Sequence, residues 1–102
     1  MARIIAEFTI IPLGIPSTSA SKYVAKAVSV IKSKNLKFQV TPTATVIEGE
    51  DLGEILNTIR EAHEAVVNMG IKRIILHIMV DDRLDKPGRK GEDKVNVVMS
   101  QL

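Results

Sequence analysis

Hydrophobic residues follow a period of two near the start of the sequence. Over residues 3–11, Ile4, Ala6, Phe8 and Ile10 fall on one side, and more polar residues lie between them. This alternation is typical of a β-strand that buries one face. Proline, glycine and proline follow at positions 12, 14 and 16. The pattern therefore predicts a first strand that ends before this segment.

Two longer segments repeat apolar residues every three or four positions, which is the spacing of an amphipathic helix. The first stripe consists of Ala20, Tyr23, Val24, Ala27, Val28 and Ile31. The second consists of Leu52, Ile55, Leu56, Ile59, Ala62, His63 and Val66. The residues expected at the helix ends are an N-cap among Ser17, Thr18, Ser19 and Ser21, a left-handed Asn35, a capping box of Asp51 and Glu54, and a stop at Gly70.

Three more strands and a short helix complete the predicted elements. Residues 36–41 alternate and Pro42 interrupts them, while residues 43–47 are rich in β-branched residues, so the two segments form a hairpin. Residues 48–50 are expected to turn. Residues 71–80 form a fourth strand whose better core face is Lys72, Ile74, Leu76, Ile78 and Val80. The charged residues 81–94 indicate a solvated loop, and residues 95–102 a C-terminal helix.

The order β-α-β-β-α-β predicts one ferredoxin-like α+β domain over residues 1–102, because right-handed crossovers place both helices on one face of a four-stranded antiparallel sheet. The other face carries Ile5, Glu7 and Thr9 on the first strand and Ile71, Ile75 and Met79 on the fourth. This surface is substantially apolar, so we expect the C-terminal helix or a second subunit to cover it. A partly solvated sheet is the alternative.

Composition narrows the class of protein. The chain has no Cys, which excludes disulfide scaffolds, thiol catalysis and Cys-based metal sites. No apolar run approaches the ~20 residues that span a bilayer, and no signal-peptide layout is present. We therefore expect a soluble cytoplasmic protein with no membrane partner.

Charge is distributed unevenly behind the net value of +2. Five Lys and no acidic residue lie between Phe8 and Ile47, whereas six acidic residues and only Arg60 lie between Glu48 and Glu64. Neighbouring helices of opposite charge would complement each other, and a contact with another subunit or ligand is the alternative. Phe8 and Phe38 fall on the core face, so no aromatic platform for nucleic acid is expected.

Few side chains suggest chemistry. No Ser-His-Asp arrangement, Walker loop or Rossmann glycine pattern occurs, and the two histidines, His63 and His77, stand at no metal-ligand spacing, so we expect structural roles and no metal or cofactor. Glu48 could meet threonine hydroxyls to bind an amino group, or could merely end a strand. The loop before the first helix could hold an anion or supply caps. Arg83 could clamp a carboxylate or phosphate, or be solvated.

Three segments together resemble a known family. They are Ala6–Gly14 running into Ser19–Tyr23, Thr43–Glu50 with the pattern Thr-x-Ile/Val-Glu-Gly-Glu, and Asp82-Arg83 followed by Lys94. In order and length, almost the whole chain is similar to the thiamine-binding UPF0045 family, the MTH1187/YkoF-like group. The resemblance implies ferredoxin-like subunits that form homo-oligomers, dimers or tetramers, through the open sheet face.

The resemblance also implies a function and a site. It implies non-enzymatic binding of thiamine or its hydroxymethylpyrimidine part. The implied ligand-binding residues are Thr9, Pro12, Ser19, Tyr23, Thr43, Thr45, Glu48, Arg83 and Lys94. Two alternatives remain open: a structural or regulatory module whose exposed sheet docks a protein, and an enzyme that uses Glu48 as a base.

Overall fold

The computed structural model describes residues 3–102, and all structural statements below concern these residues. Four strands and three helices follow one another along the chain. They are β1 (Ile4–Leu13), α1 (Ser21–Ser33), β2 (Lys37–Val40), β3 (Thr45–Gly49), α2 (Leu52–Val67), β4 (Arg73–Asp82) and α3 (Gly91–Met99). The predicted order of elements is confirmed.

The four strands form one sheet in the order β2-β3-β1-β4, and every neighbouring pair is antiparallel. β1 lies in the middle, where Phe8 pairs with Thr45 on one side and with Ile78 on the other. β2 and β4 are therefore the two edge strands of the sheet. This arrangement confirms the predicted α+β, ferredoxin-like fold.

The core lies between the sheet and the two long helices. β1 alternates buried and less buried residues, as the sequence period requires. The buried apolar residues are Ile4, Ala6, Phe8, Ile10, Tyr23, Ala27, Ile31, Ile47, Ile55, Ile59, Ala62 and Val66. They come from β1, α1, β3 and α2, so the predicted stripes of both helices face the same side of the sheet. An ion pair also links the C-cap residue of α1 to α2, since Lys34 Nζ lies 2.8 Å from Glu61 Oε2.

The helix ends agree with the sequence at their C-termini and only in part at their N-termini. Asn35 and Gly70 both have a positive φ, of 59° and 91°, as expected of residues that stop a helix. The N-cap of α1 is Ala20, not a serine or threonine, and its side chain makes no capping hydrogen bond. Asp51 does cap α2, but its carboxylate accepts from the Gly53 amide at 2.9 Å and no reciprocal bond from Glu54 completes a capping box.

Several boundaries differ from the predicted ones. β1 does not end before Pro12 but continues to Leu13, because Pro12 and Leu13 pair with β4. At the other end of β1, its N-terminal half pairs on both sides and lengthens its neighbours. Residues 48 and 49 belong to β3 and not to a turn, since they pair with Ile5 and Ile4. Residues 81 and 82 extend β4 for the same reason. The last helix begins at Gly91 rather than at position 95.

The sheet face opposite the long helices exposes apolar side chains. Ile75 is 46% and Met79 51% exposed on this open face. Within residues 3–102, α3 buries none of its own residues, so its apolar side chains do not cover the sheet. On the helix-covered face, Ile74 and Leu76 pack against the core as predicted, and Ile71, which was expected on the open face, joins them. Ile78 and Val80, also expected in the core, are each 38% exposed because β4 is an edge strand.

Candidate functional site

A cavity of about 200 Å³ lies between the first half of α1, the second half of β1 and the chain that leads into β3. We call it the threonine cavity. It is lined by Phe8, Thr9, Ile10, Val24, Ala27, Thr41, Pro42, Thr43, Ala44 and Thr45. Its walls are therefore apolar side chains with hydroxyl groups and backbone between them. None of these lining residues carries an ionisable side chain.

The turn between β2 and β3 forms one wall of the threonine cavity. The Thr41 amide and hydroxyl both donate to the Ala44 carbonyl, at 2.9 and 2.8 Å. The Ala44 amide donates back to Thr41 Oγ1 at 3.2 Å. Pro42, between them, has its φ fixed by its ring, which stiffens the turn. On the opposite side, Thr9 Oγ1 donates to the Thr43 carbonyl at 3.1 Å and ties the turn to β1.

Thr45 supplies the polar group deepest in this site. The residue is only 3% exposed, and its hydroxyl has no hydrogen-bond partner among residues 3–102. A hydroxyl can both donate and accept, and among residues 3–102 the only fully buried side-chain polar atom without a partner is Arg89 Nε, so the Thr45 oxygen remains accessible. Phe8, which is 2% exposed, lies beside it in the lining. Thr45 therefore presents to the cavity a hydroxyl that bonds no other residue of the range 3–102.

A second concavity of about 260 Å³ lies at the start of α1. This serine hollow is lined by Ile15, Pro16, Ser17, Ser19, Ser21, Lys22 and Tyr23. The Ser19 amide donates to Ser17 Oγ at 3.0 Å, and Ser19 Oγ to Ser21 Oγ at 3.2 Å, so these serines brace the loop. Lys22 Nζ lies 5.1 Å from the centre of the Tyr23 ring, which is within cation–π range.

Charged side chains gather at the other end of the sheet, on the open face. The register aligns Lys37 with Glu48, Glu48 with Ile5, and Ile5 with Asp81. The Glu48 side chain is 11% exposed, and its carboxylate accepts the Gly91 amide at 2.7 Å. Glu48 thus holds the first residue of α3 against the sheet.

Further ion pairs surround Glu48. Lys37 Nζ lies 2.7 Å from Glu92 Oε2 and 3.7 Å from Glu48 Oε2. Asp81 accepts from Lys94 at 2.8 Å and from Arg89 at 3.2 Å, and hydrogen bonds from these two cations hold the pKa of Asp81 below its usual value. We call Lys37, Glu48, Asp81, Arg89, Glu92 and Lys94 the ion-pair cluster.

Arg89 is the most buried charge of the ion-pair cluster, with a side chain that is 8% exposed. Its guanidinium also donates to the Asp81 carbonyl at 2.8 Å, while its Nε has no hydrogen-bond partner among residues 3–102. Nearby, Arg83 bonds Asp85 through two nitrogens at 2.7 and 2.6 Å. The hydrogen bond from Arg83 lowers the pKa of Asp85 to about 2.

The structure divides the nine residues implied by the family resemblance among several places. Thr9, Thr43 and Thr45 line the threonine cavity, and Ser19 and Tyr23 line the serine hollow. Glu48 and Lys94 belong to the ion-pair cluster, Arg83 is paired with Asp85, and Pro12 is buried in β1 opposite Ile74. The expected meeting of Glu48 with the threonine hydroxyls does not form, because side chains three residues apart on a strand point to opposite faces.

Sequence reasoning missed several lining residues and one buried charge. Val24 and Ala27 were predicted as positions of the first helical stripe, and Thr41 and Ala44 as residues of the second and third strands, so none of them was expected to line a site. The signal for the cavity was Ala27, because a small side chain under a proline-containing turn leaves space. Arg89 stood in a segment of balanced charge, which gave no sign of burial.

Within residues 3–102, no group of three or more His, Cys, Asp or Glu side chains is placed to hold a metal ion. No helix in the same range is long and apolar enough to cross a membrane.

Comparisons with known proteins agree with the geometry. The family model described as "Thiamine-binding protein" matches residues 6–99. A UPF0045 protein of Methanothermobacter thermautotrophicus is 41% identical over 99 residues, which cover 97% of this chain and 99% of that protein. A UPF0045 protein of Bacillus subtilis is 40% identical over 86 residues, which cover 80% of this chain and 82% of that protein.

A solved structure gives the same result in three dimensions. The crystal structure of a hypothetical protein from Methanocaldococcus jannaschii matches with a TM-score of 0.85 and 40% identity, and the match covers 97% of this chain and 98% of that one. Fold, sequence and family model agree over nearly the full length. The chain belongs to the UPF0045 family, whose model is described as that of a thiamine-binding protein.

Proposed function

We propose that this protein binds thiamine, or its hydroxymethylpyrimidine part, without catalysing a reaction, and that the pyrimidine ring occupies the threonine cavity. The observation that carries the proposal is the hydroxyl of Thr45, a residue only 3% exposed that lines the threonine cavity and whose hydroxyl has no hydrogen-bond partner among residues 3–102. Membership of a family described as thiamine-binding supports the ligand class.

The size of the threonine cavity favours one ring. Pockets that enclose a whole drug-sized ligand measure roughly 300–1,000 Å³, whereas this cavity measures about 200 Å³. A single six-membered ring with small substituents suits such a space. The remainder of a thiamine molecule would lie outside the cavity, near the turn formed by residues 41–44.

The lining suits an aminopyrimidine in particular. Such a ring presents nitrogen acceptors and an amino donor at its edge and apolar faces above and below. The hydroxyls of Thr45 and Thr43 can donate to a ring nitrogen or accept from the amino group. Phe8, Val24 and Ala27 offer apolar contact to the faces of the ring.

The same lining supports binding rather than catalysis. General acid–base chemistry needs a side chain that exchanges a proton near neutral pH. The threonine cavity contains no ionisable residue, and Glu48, the base that an enzyme would have used, holds the Gly91 amide on the opposite face of the sheet. The proposal places this binding activity in the cytoplasm.

The open sheet face supports a homo-oligomer as part of the proposal. Ile75 and Met79 are exposed there, and α3 exposes further apolar residues, including Val95 and Val98 at about 60% each. Exposed apolar surface of this kind usually marks an interaction site. A dimer or tetramer that pairs these faces would bury it. The second candidate function, a module that docks another protein, would use the same face.

Titration calorimetry with thiamine and with hydroxymethylpyrimidine tests the ligand. We expect heat from at least one of them at submillimolar concentration in the native protein. Thr45→Val keeps the shape of the side chain and removes the hydroxyl, so we expect affinity to fall about tenfold for the loss of a buried hydrogen bond.

Thr58→Val is the matched control. Thr58 is 1% exposed and donates to the Glu54 carbonyl within α2, outside the threonine cavity. We expect this variant to bind as the native protein does, at similar thermal stability to Thr45→Val. Absence of heat with both ligands would remove the proposed function and leave the docking module.

A further inference from the structure

The serine hollow opens at the same end of the molecule as the threonine cavity. α1 serves both, since Lys22 and Tyr23 line the hollow and Val24 and Ala27 line the cavity. Tyr23 and Val24 are adjacent, and one residue advances a helix by about 1.5 Å. The two concavities are therefore neighbours along the first turns of α1, although adjacent side chains of a helix point about 100° apart and line different spaces.

The hollow holds hydrogen-bond donors that the fold does not use. Tyr23 is only 6% exposed, yet its hydroxyl has no hydrogen-bond partner among residues 3–102. The backbone amides of Tyr23 and Val24 donate to the Ala20 carbonyl, whereas the Lys22 amide has no partner in the described chain. The N-cap residue contributes no side-chain bond, and the first turn of α1 contains no acidic residue. The Tyr23 hydroxyl and the Lys22 amide are therefore hydrogen-bond donors without an acceptor among residues 3–102.

The surrounding charge has one sign. Lys22 has no ion-pair partner within residues 3–102, and the same holds for Lys72 and Arg73, which line a neighbouring concavity with Leu13 and Gly14. No acidic residue lines either concavity to offset these cations. The first turn of a helix adds a partial positive charge. A cation in the hollow would be repelled, and an anion attracted.

We propose that the serine hollow binds the phosphoryl group of a pyrimidine phosphate ester whose ring occupies the threonine cavity. The inference rests on the proposed function and narrows its ligand class. A phosphate offers several oxygens for the Tyr23 hydroxyl, the Lys22 amide and the Lys22 ammonium. The cationic thiazolium of thiamine would meet the uncompensated Lys22 instead. The structure therefore favours the phosphate ester of hydroxymethylpyrimidine over thiamine.

Calorimetry with four ligands tests the inference: hydroxymethylpyrimidine and thiamine, each with and without a monophosphate. We expect the phosphate ester of hydroxymethylpyrimidine to bind at least about tenfold more tightly than the free alcohol, as a charge-assisted contact provides. Lys22→Gln should bring that ratio close to one. Tyr23→Phe keeps the buried ring and should reduce the ratio about threefold.

Lys32→Gln is the control, because Lys32 lies at the other end of α1 and also forms no ion pair among residues 3–102. It should leave the ratio unchanged. If the free alcohol binds as tightly as its ester, or if Lys32→Gln lowers the ratio as much as Lys22→Gln, the phosphoryl site is overturned and the ring site stands.

If no pyrimidine ligand binds, the proposed function fails. Titration with inorganic phosphate then tests the anion site by itself. Saturable shifts of the Lys22 and Tyr23 amide resonances with phosphate, absent in Lys22→Gln, would support the site. No such shifts would overturn it.

Discussion

The two ends of the sheet differ in whether their charged side chains form ion pairs within residues 3–102. At the end that holds the ion-pair cluster, each carboxylate of the cluster meets a cation or an amide of the same chain. At the end that holds the threonine cavity and the serine hollow, Lys22, Lys72 and Arg73 have no such partner within residues 3–102. The paired charges of the ion-pair cluster hold α3 in position. The unpaired cations lie beside a concavity, where they can attract a ligand.

The difference also explains why the Glu48 carboxylate does not meet the Thr45 hydroxyl, as the sequence had suggested it could. It lies three residues from Thr45 on β3, but the strand directs the two side chains to opposite faces. At the end with the ion-pair cluster, the polar groups bond one another within the fold. At the end with the threonine cavity, they remain available to a ligand. The following three predictions probe that separation, in order of decreasing effect.

Removing the Glu48 carboxylate should have the largest effect on stability. Glu48→Ala deletes the acceptor of the Gly91 amide and one partner of Lys37. We expect the free energy of unfolding to fall by about 2 kcal/mol, as for a buried charge-assisted hydrogen bond. The midpoint of urea unfolding at fixed protein concentration measures this loss.

Glu7→Ala is the control for that experiment. Glu7 lies on the same open face of β1 and forms no ion pair with another residue of the described range. Its removal should change the free energy of unfolding by less than about 0.5 kcal/mol. Ligand affinity should be unchanged in Glu48→Ala, and a marked loss would show that the two ends are not independent.

Filling the threonine cavity should affect the opposite end alone. Ala27 is 1% exposed and lines the cavity, so Ala27→Val takes space from the ring and should weaken ligand binding at least about tenfold. Ala62→Val, in the core of α2 and outside the cavity, is the matched control. Both variants should lose about 1 kcal/mol of stability through overpacking. Equal loss of affinity in both would contradict the assigned site.

Acid should loosen the ion-pair cluster by a smaller amount. The pKa of Asp81 is held below its usual value, chiefly by hydrogen bonds from Lys94 and Arg89, so the unfolded chain takes up its proton at a higher pH. The stabilisation is therefore present above about pH 4 and is lost as pH falls through the lowered pKa. Because Asp81 is 34% exposed, we expect less than about 1 kcal/mol.

Asp81→Asn should flatten the fall of stability below pH 4, measured by urea unfolding across a pH series. Asp85→Asn provides the contrast. Although the pKa of Asp85 is about 2, its side chain is 67% exposed, and solvent screening leaves an exposed ion pair with Arg83 little effect on stability. Its removal should leave the slope nearly native. A native slope in Asp81→Asn would refute the role of the ion-pair cluster.

The sequence predicted the parts of the fold that depend on local periodicity. The alternation of β1 and the stripes of α1 and α2 each have one apolar face, so burial of that face determines their orientation. Asn35 and Gly70 were identifiable because few other residues adopt a positive φ without strain. The family resemblance, which rests on ordered motifs, was confirmed over nearly the whole chain.

Features that depend on distant partners were not predictable in the same way. α3 begins at Gly91 because the Glu48 carboxylate, 43 positions earlier, accepts its amide. The extension of β3 and β4 depends on their pairing with β1. The threonine cavity arises where Ala27 faces the turn of residues 41–44. The hydrophobic periodicity of the sequence does not predict the position of this turn. The opposite orientation of Thr45 and Glu48 did follow from the strand period, once Glu48 was recognised as part of the strand.

Tyr23 has a practical consequence that its packing alone does not reveal. The chain contains one tyrosine and no tryptophan. Its intrinsic near-ultraviolet fluorescence therefore comes almost entirely from a single ring, which lies under the Lys22 ammonium at the first turn of α1. The molecule carries its own optical label at that position, so emission can follow occupancy of the serine hollow without any attached dye.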